Sequence, residues 1–178
     1  MSADGVSHSL ADGARFCIRC GAELVARKLK SIEPERLVCR ACDYVHYVDP
    51  KIAACVICAV DGKVVLLRRA IEPSYGQWVF PGGFSDRGER LEDAATREAH
   101  EEINVRVRIE RLLNVYSYSG EPVVVVVYVA AIVAGEPSVG DEAIEVRAFA
   151  RDEIPWDELA FPSTRQALRD YFGIARND

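Results

Sequence analysis

Three glutamates stand close together in one short stretch of the chain, Glu98, Glu101 and Glu102. The stretch has the apolar spacing of a helix, and at about 100° per residue these carboxylates share a helix face with Leu91 and Ala94. Burying an unpaired carboxylate is costly, and like charges three or four residues apart on a helix repel. A divalent cation would offset both costs, and hard oxygen ligands favour Mg²⁺ or Mn²⁺. The pattern therefore predicts a metal site on this face of the helix.

The alternative interpretation is an exposed acidic helix with ordinary ion pairs, for example between Arg97 and Glu101. In such a helix the carboxylates would lie opposite the apolar residues. Here the glutamates fall on the apolar face, whereas Arg90, Asp93, Arg97 and His100 fall off it. We therefore favour the metal site.

A longer pattern encloses these glutamates. Five residues separate Gly83 from Glu89, and seven more separate Glu89 from Arg97, which is followed by Glu98-Ala99-His100-Glu101-Glu102-Ile103-Asn104-Val105. The pattern closely resembles the Nudix box, G-x5-E-x7-R-E-U-x-E-E-x-G-U, in which U is an aliphatic residue. Phe80-Pro81-Gly82 precedes it, as is common in that family.

One fixed position differs from the Nudix box, because Asn104 stands where the family has glycine. This position follows the end of the predicted helix, where a residue with left-handed backbone conformation commonly closes the last turn. Asparagine tolerates that conformation best after glycine. We therefore expect the loop-helix-loop of the box to form.

The resemblance implies a fold and a reaction. The fold is an α/β/α sandwich with a mixed sheet, in the α/β class. The reaction is hydrolysis of a nucleoside diphosphate linked to another group, through attack of water on phosphorus. Since the substrate and the carboxylate site are both anionic, metal ions must bridge them and help to generate the nucleophile.

The resemblance also implies roles for individual residues. Glu98 and Glu102 become the principal metal ligands, and Glu101 becomes a further ligand or a water-bridging group. The backbone carbonyl of Gly82 becomes a fourth ligand. All belong to the catalytic Mg²⁺ or Mn²⁺ site.

Two further roles concern residues around these ligands. Glu89 and Arg97 resemble the orienting pair of the family, whose ion pair holds the loop against the helix. The general base is less fixed, because family members use a glutamate of the box or one from a later loop. In the loop at residues 140–145 we prefer Glu142 to Glu145, which already begins a predicted strand. The alternative is that this loop is a solvated acidic segment.

The six cysteines form three Cys-x-x-Cys pairs. The pairs Cys17-Ile18-Arg19-Cys20 and Cys39-Arg40-Ala41-Cys42 are separated by 18 residues, which predicts a tetrahedral, structural Zn²⁺ site, with disulfides as the weaker alternative. Cys55 and Cys58 lie in an apolar strand. Because residues three apart on a strand point to opposite faces, we interpret them as packed thiols rather than ligands or a redox pair.

The chain organisation follows from these motifs and from composition. We predict a mobile tail at residues 1–14, a zinc ribbon at 15–49 and a Nudix hydrolase domain at 50–178. The predicted strands of the larger domain are 52–60, 63–69, 78–80, 105–118, 123–134 and 145–150. The predicted helices are 91–103 and 164–172, the second capped by Ser163 and ended by Gly173. The valines at 123–127 predict a strand buried on both faces.

Composition narrows the classes of partner. The net charge of −6 and the lack of a basic stripe argue against a nucleic-acid surface held by phosphate contacts. Residues 1–13 lack the pattern of a signal peptide, and no run approaches the roughly 18 apolar residues of a membrane span. We therefore expect a cytoplasmic protein with a small-molecule substrate and no membrane partner.

The substrate is predicted from resemblance alone. A zinc ribbon before a Nudix domain is similar to NADH pyrophosphatases, but their Ser-Gln-Pro-Trp-Pro-Phe-Pro motif is absent here. The chain resembles more closely the plant plastid type that acts on FAD and ADP-ribose, through Asp49-Pro50-Lys51 and the segments 73–78, 152–156 and 159–161. This implies hydrolysis of ADP-ribose or FAD with release of AMP, by a homodimer.

Other functions remain open at this point. One is removal of 5′ diphosphate-linked caps from RNA, for which the ribbon offers local basic residues. Another is a catalytically silent, nucleotide-binding regulator, although that class would be expected to lose box carboxylates. Aromatic residues offer a base-stacking surface in principle, although we expect most of them to belong to the core. The candidates are Tyr75, Trp78, Tyr116, Tyr118 and Phe161.

Overall fold

The computed structural model describes residues 13–175. The chain divides into two compact units, Met1–Pro50 and Lys51–Asp178. Except for Gly13 and Ala14, the tail predicted at 1–14 lies outside the described residues.

The first unit contains a small antiparallel sheet. Its strands are β1 (Leu24–Arg27), β2 (Arg36–Cys39) and β3 (Val45–His46), in the order β1-β2-β3. Its buried cluster consists of Cys17, Leu24 and Cys39, with a few partly buried neighbours. So little apolar surface is buried that a bound metal ion is the expected source of stability for such a unit.

The second unit is built on a mixed sheet. Its strands are β4 (Lys51–Val60), β5 (Lys63–Arg69), β6 (Trp78–Val79), β7 (Gly82–Phe84), β8 (Arg106–Tyr116), β9 (Val123–Ala134) and β10 (Ala143–Phe149). The main order is β10-β5-β4-β9-β8, while β6 pairs with β5 and β7 pairs with β4. Only β4 and β9 pair in parallel among these strands, so the sheet is mixed, as predicted.

Two helices cover the sheet, α1 (Leu91–Ile103) and α2 (Pro162–Phe172). Alternate residues of β4 enter two different buried clusters. Ala54, Val56 and Cys58 join the cluster that contains α1, whereas Cys55 and Ile57 join the one that contains α2. The second unit is therefore a sandwich with a helix on each face of the sheet, which confirms the predicted architecture.

The same alternation confirms the prediction for the third cysteine pair. Cys55 and Cys58 lie in opposite clusters, are 6% and 1% exposed, and form no disulfide. Burial raises the pKa of both thiols. They are unreactive packing groups.

Most predicted elements agree with the observed ones, and α1, β5 and β9 agree to the residue. The predicted N-cap of the last helix, Ser163, was wrong. The helix begins at Pro162, with Phe161 as N-cap, and Ser163 is buried in its first turn. Proline suits a first helical position, because its φ is preset and it has no N–H to satisfy. Gly173 ends the helix with φ of 63°, as predicted.

The valine run of β9 is less buried than predicted. Val126 and Val127 are buried, but the three preceding valines are only partly so. They lie at the start of β9, beside the exposed first residues of β4.

No helix in the described part of the chain combines the length and apolar character needed to cross a membrane.

Candidate active site

Helix α1 is anchored to the sheet by small and aliphatic residues. Ala94, Ala95, Ala99 and Ile103 are fully buried. The helix closes at Asn104, which has φ of 57° and whose backbone N–H donates to the carbonyl of His100 at 3.0 Å. The left-handed cap expected at the position that departs from the Nudix box is therefore present.

The three glutamates of α1 do not share one environment. Glu102 is 5% exposed and the side chain of Glu98 is 14% exposed, so both turn toward the interior. The side chain of Glu101 is 49% exposed. The helix thus presents two inward carboxylates and one at the rim.

Burial perturbs the two inward carboxylates. It raises the pKa of Glu102 to about 8, and the negative charges of Glu98 and Glu142 raise it further, against a hydrogen bond from Gly82. Burial also raises the pKa of Glu98, although the neighbouring Arg97 opposes that shift. Carboxylates in this situation bind either a proton or a cation. The donor set is therefore chemically suited to a divalent metal ion with hard-ligand preference.

Arg97 connects the helix to the loop before it. Its Nε and one terminal nitrogen donate to the two oxygens of Glu89 at 2.9 and 3.1 Å, a bidentate pair. This contact lowers the pKa of Glu89, which also accepts from the backbone N–H of Asp86 at 2.9 Å. The structure therefore places Glu89 and Arg97 where a pair that orients the loop would lie.

The other terminal nitrogen of Arg97 reaches back to the helix. It donates to Glu98 at 2.7 Å and to Glu101 at 3.0 Å. The Arg97–Glu101 pair, which the exposed-helix alternative predicts, therefore coexists with the inward carboxylates. Arg97 holds the rim of the site together although helical geometry alone puts it off the glutamate face.

Two glycines bring the preceding strand against the carboxylates. The backbone N–H of Gly82 donates to Glu102 at 2.8 Å. A Cβ at Gly82 would lie 2.6 Å from the Cα of Cys55, and a Cβ at Gly83 would lie 2.6 Å from the carboxylate of Glu98. At Gly82 the conflict is with backbone, so only glycine fits there, whereas a side chain at Gly83 would displace the Glu98 carboxylate.

A loop after β9 brings Glu142 to the same place. Backbone N–H groups of Ser138, Gly140 and Asp141 donate to the carbonyls of Ile103, Glu102 and Glu101 at 3.1, 3.0 and 3.2 Å. These are last-turn carbonyls of α1, which the helix itself leaves unsatisfied. Glu142 is exposed, and its charge contributes to the raised pKa values of Glu98 and Glu102.

Glu145, the other candidate base, lies elsewhere. It belongs to β10, and its carboxylate is 3.6 Å from the guanidinium of Arg68. The structure thus brings Glu142, and not Glu145, together with the carboxylates of the box.

Arg69, at the end of β5, was not among the predicted site residues. Its positive charge acts on Glu102, where it opposes the rise in pKa. The Arg69 side chain is held by its Nε donating to the carbonyl of Pro73 at 2.9 Å and by the ring of Phe161, 5.2 Å from the guanidinium carbon. An arginine at a strand end carries no motif, so only the fold reveals it.

The base-stacking candidates separate by burial. Trp78 and Tyr116 are 4% and 3% exposed and belong to the core. Tyr118 donates to Gln166 of α2 at 3.0 Å. Tyr75 is 61% exposed. Tyr118 and Phe161 are partly buried and pack against the two core clusters, which leaves Tyr75 as the exposed candidate.

The four ribbon cysteines, Cys17, Cys20, Cys39 and Cys42, form a group that could bind a metal ion. Their sulfurs all lie within 4.8 Å of one another, and no other group of three or more His, Cys, Asp or Glu ligands in residues 13–175 does so. The carboxylates of α1 are not gathered in this way, because Glu101 turns to Arg97 and Glu102 turns to Gly82.

The sulfur geometry suits one tetrahedral ion. Individual separations are 3.7 Å for Cys17 and Cys42, 3.4 Å for Cys20 and Cys39, and 3.5 Å for Cys20 and Cys42. Four sulfurs about 2.3 Å from zinc would be about 3.8 Å apart. The backbone N–H groups of Arg19 and Ala41 donate to the first sulfur of each pair at 3.4 Å, which holds the two turns in matching conformations. All four are free thiols, so the disulfide alternative fails.

Comparisons with known proteins agree with this geometry. A family model described as NUDIX domain matches residues 49–171, and one described as Nudix N-terminal, a zinc ribbon, matches residues 15–48. The chain belongs to the Nudix family of hydrolases. It is an enzyme of the pyrophosphohydrolase class with an N-terminal zinc-ribbon segment.

Three relatives illustrate the similarity. An ADP-ribose pyrophosphatase of Methanocaldococcus jannaschii is 33% identical over 132 residues, which are 72% of this chain and 76% of that protein. An NAD-capped RNA hydrolase NudC of Pectobacterium carotovorum is 27% identical over 168 residues, 91% of this chain but 61% of that protein. A crystal structure of a NUDIX hydrolase from Nitrosomonas europaea matches with a TM-score of 0.84 and 36% identity, over 90% of this chain and 91% of that one.

Proposed function

We propose that this Nudix enzyme hydrolyses the pyrophosphate bond of ADP-ribose, or of FAD as the closely related alternative, with release of AMP. The observation that carries the substrate class is the match to an ADP-ribose pyrophosphatase over most of both chains. The resemblance to the plant plastid type that acts on FAD and ADP-ribose supports the same class. Water adds to one phosphorus and the bridging P–O–P bond breaks, so ADP-ribose gives AMP and ribose 5-phosphate.

Glu98 and Glu102, with the carbonyl of Gly82, are the residues we assign to the divalent metal, and Glu101 is a further ligand or water-bridging group. The burial of the first two supports this, since a cation would relieve the cost of their charge. Bound Mg²⁺ or Mn²⁺ would neutralise the diphosphate and polarise the phosphorus. Zn²⁺ is the structural ion we assign to Cys17, Cys20, Cys39 and Cys42.

The remaining residues act on orientation and proton transfer. Glu89 and Arg97 hold the glycine-bearing loop against α1 through their bidentate pair. Arg97 also fixes the carboxylate of Glu98. Glu142 is our candidate general base, because it is exposed to solvent and lies beside the box carboxylates. It would take the proton of the attacking water.

The finer properties of the protein remain proposals. We propose a homodimer that works in the cytoplasm on a small nucleotide, with the domain limits predicted above. The match to the Nudix family supports a small nucleotide as the substrate. Light scattering of the purified protein would measure its assembly state.

The test is a panel of ADP-ribose, FAD, NADH and nucleoside triphosphates with Mg²⁺ or Mn²⁺, in which released AMP is measured. We expect the highest kcat/KM on ADP-ribose or FAD. Glu98→Gln and Glu102→Gln should lose most of the metal-dependent rate, and Glu142→Gln should lose a large part of kcat. Exclusive action on triphosphates would refute the substrate class while leaving the reaction class intact.

NAD-capped RNA is a second candidate substrate, favoured by the match to NudC over 91% of this chain. The chain covers only 61% of that relative, so the likeness omits a large part of it. The same panel with a 5′-NAD-capped RNA decides between the two. A kcat/KM on the capped RNA above that on ADP-ribose would replace our assignment.

A further inference from the structure

We propose that Asn104 is a positioning residue for Glu142, acting through the loop that joins β9 to β10. This inference rests on the proposed function, because it concerns the loop that carries the candidate base. It assigns a purpose to the one fixed position at which the chain departs from the Nudix box.

The backbone at Asn104 does not by itself call for asparagine. Its φ of 57° and ψ of 28° are left-handed, a conformation that glycine adopts with less strain. The side chain supplies what glycine lacks. Its Nδ2 donates to the carbonyl of Val139 at 3.0 Å and, more weakly, to that of Ser138 at 3.4 Å.

These contacts continue a row of hydrogen bonds between the loop and the end of α1. The N–H of Ser138 donates to Ile103, and those of Gly140 and Asp141 donate to Glu102 and Glu101. The approach is so close that a Cβ at Gly140 would lie 2.7 Å from the carbonyl oxygen of Glu102. The loop therefore packs directly against the backbone of the residues that carry the box carboxylates.

Gly135, at the other end of this loop, shows the same close fit. A Cβ there would lie 2.5 Å from the carbonyl oxygen of Asn104. The loop therefore packs against the backbone of Asn104, and the side chain of Asn104 donates hydrogen bonds to the loop. Three residues after Val139, the chain reaches Glu142.

Glu142 is also held from the far side, since its carbonyl accepts from the backbone N–H of Ala70 at 2.9 Å. Removing the amide of Asn104 would therefore remove the side-chain contacts to Ser138 and Val139, while the backbone hydrogen bonds to α1 and to Ala70 keep the loop in place. The expected consequence is poorer alignment of Glu142 during the reaction, with little change in how tightly nucleotide binds. A positioning defect of this kind appears in kcat rather than in KM.

The experiment is a double-mutant cycle with Asn104→Gly and Glu142→Gln. Asn104→Gly restores the family residue and keeps the left-handed cap, so a purely structural role predicts no loss. We expect kcat to fall roughly fivefold with KM unchanged, the equivalent of one net hydrogen bond of about 1 kcal/mol. In the Glu142→Gln background, Asn104→Gly should have no further effect. Asn104→Asp, which has the same shape but cannot donate, should lose at least as much.

Hydrogen exchange of the whole protein gives a readout that is independent of activity. In Asn104→Gly the amides of Gly140 and Asp141 should exchange severalfold faster, while those in the middle of α1 should not change. Unchanged exchange and unchanged kcat would overturn the inference.

The two proposals fail in different ways. If Glu142→Gln is impaired but Asn104→Gly turns over like the wild type, the inference is wrong and the proposed function stands. If Asn104→Gly loses the same factor of kcat in both backgrounds, the coupling to Glu142 is refuted. If Glu142→Gln retains full activity, Glu142 is not the base and the positioning role falls with it.

Discussion

The substitution Glu102→Gln should stabilise the metal-free protein at high pH while it removes metal-dependent activity. Burial raises the pKa of Glu102 to about 8. A folded state that holds a proton more tightly than the unfolded state loses stability as the pH rises between the two pKa values. The loss therefore begins near the unfolded pKa of about 4.3 and levels off above the folded pKa.

The size of the effect follows from that shift. With each pKa unit equivalent to about 1.4 kcal/mol, the ionisation of Glu102 costs about 3.5 kcal/mol more at pH 8 than at pH 5. Glutamine carries no charge, and its side-chain carbonyl can still accept from the N–H of Gly82. The advantage of the variant over the wild type should therefore grow by about 3.5 kcal/mol across this range.

Urea unfolding at pH 5 and pH 8, in buffer without Mg²⁺ or Mn²⁺, measures this advantage. Tryptophan fluorescence reports on the second unit, because the two tryptophans, Trp78 and Trp156, lie there. Glu101→Gln is the matched control, since that side chain is 49% exposed and its replacement should change the free energy of unfolding by less than about 1 kcal/mol. Added Mg²⁺ should stabilise the wild type and not Glu102→Gln. An identical pH dependence for wild type and Glu102→Gln would refute the reasoning.

Three further changes test other parts of the site. Gly83→Ala would place a Cβ 2.6 Å from the carboxylate of Glu98. We therefore expect kcat to fall about 10- to 100-fold, while circular dichroism shows an intact fold. A fully active variant would contradict this. Arg97→Lys loses the bidentate fork to Glu89, and steady-state kinetics should show a decrease of similar size, which an unchanged kcat would exclude. Cys39→Ser should reduce bound zinc from one ion per chain to almost none by metal analysis, whereas Cys58→Ser, in the core of the other unit, should retain it.

The elements that were predicted well are those with strong local patterns. Helix α1 was predicted to the residue because its apolar spacing, its acidic first turn and its left-handed cap at Asn104 all lie within one segment. The hairpin of β4 and β5 was equally visible, because Asp61-Gly62 is a typical two-residue turn sequence between two apolar runs, and both residues do take positive φ. The four-cysteine cluster followed from cysteine spacing for the same reason.

The features that the sequence did not reveal depend on contacts between distant segments. Arg69 approaches Glu102 only because β5 lies in the folded sheet beside the box, and nothing near Arg69 in the chain marks it. The hydrogen bonds from Asn104 to the loop span 34 and 35 residues. The exposure of Glu101 is a further case, because helical angles place it near Glu98 but Arg97 draws its side chain to the rim.

We propose above all that Glu98 and Glu102 hold a divalent metal ion against the pyrophosphate of the substrate. The most direct measurement is a crystal structure with Mn²⁺ and a non-hydrolysable ADP-ribose analogue, in which anomalous scattering locates the metal. We predict Mn²⁺ bound by oxygens of both side chains and by the diphosphate. A diphosphate bound in the protein with no Mn²⁺ at either carboxylate, at saturating metal concentration, would contradict the account.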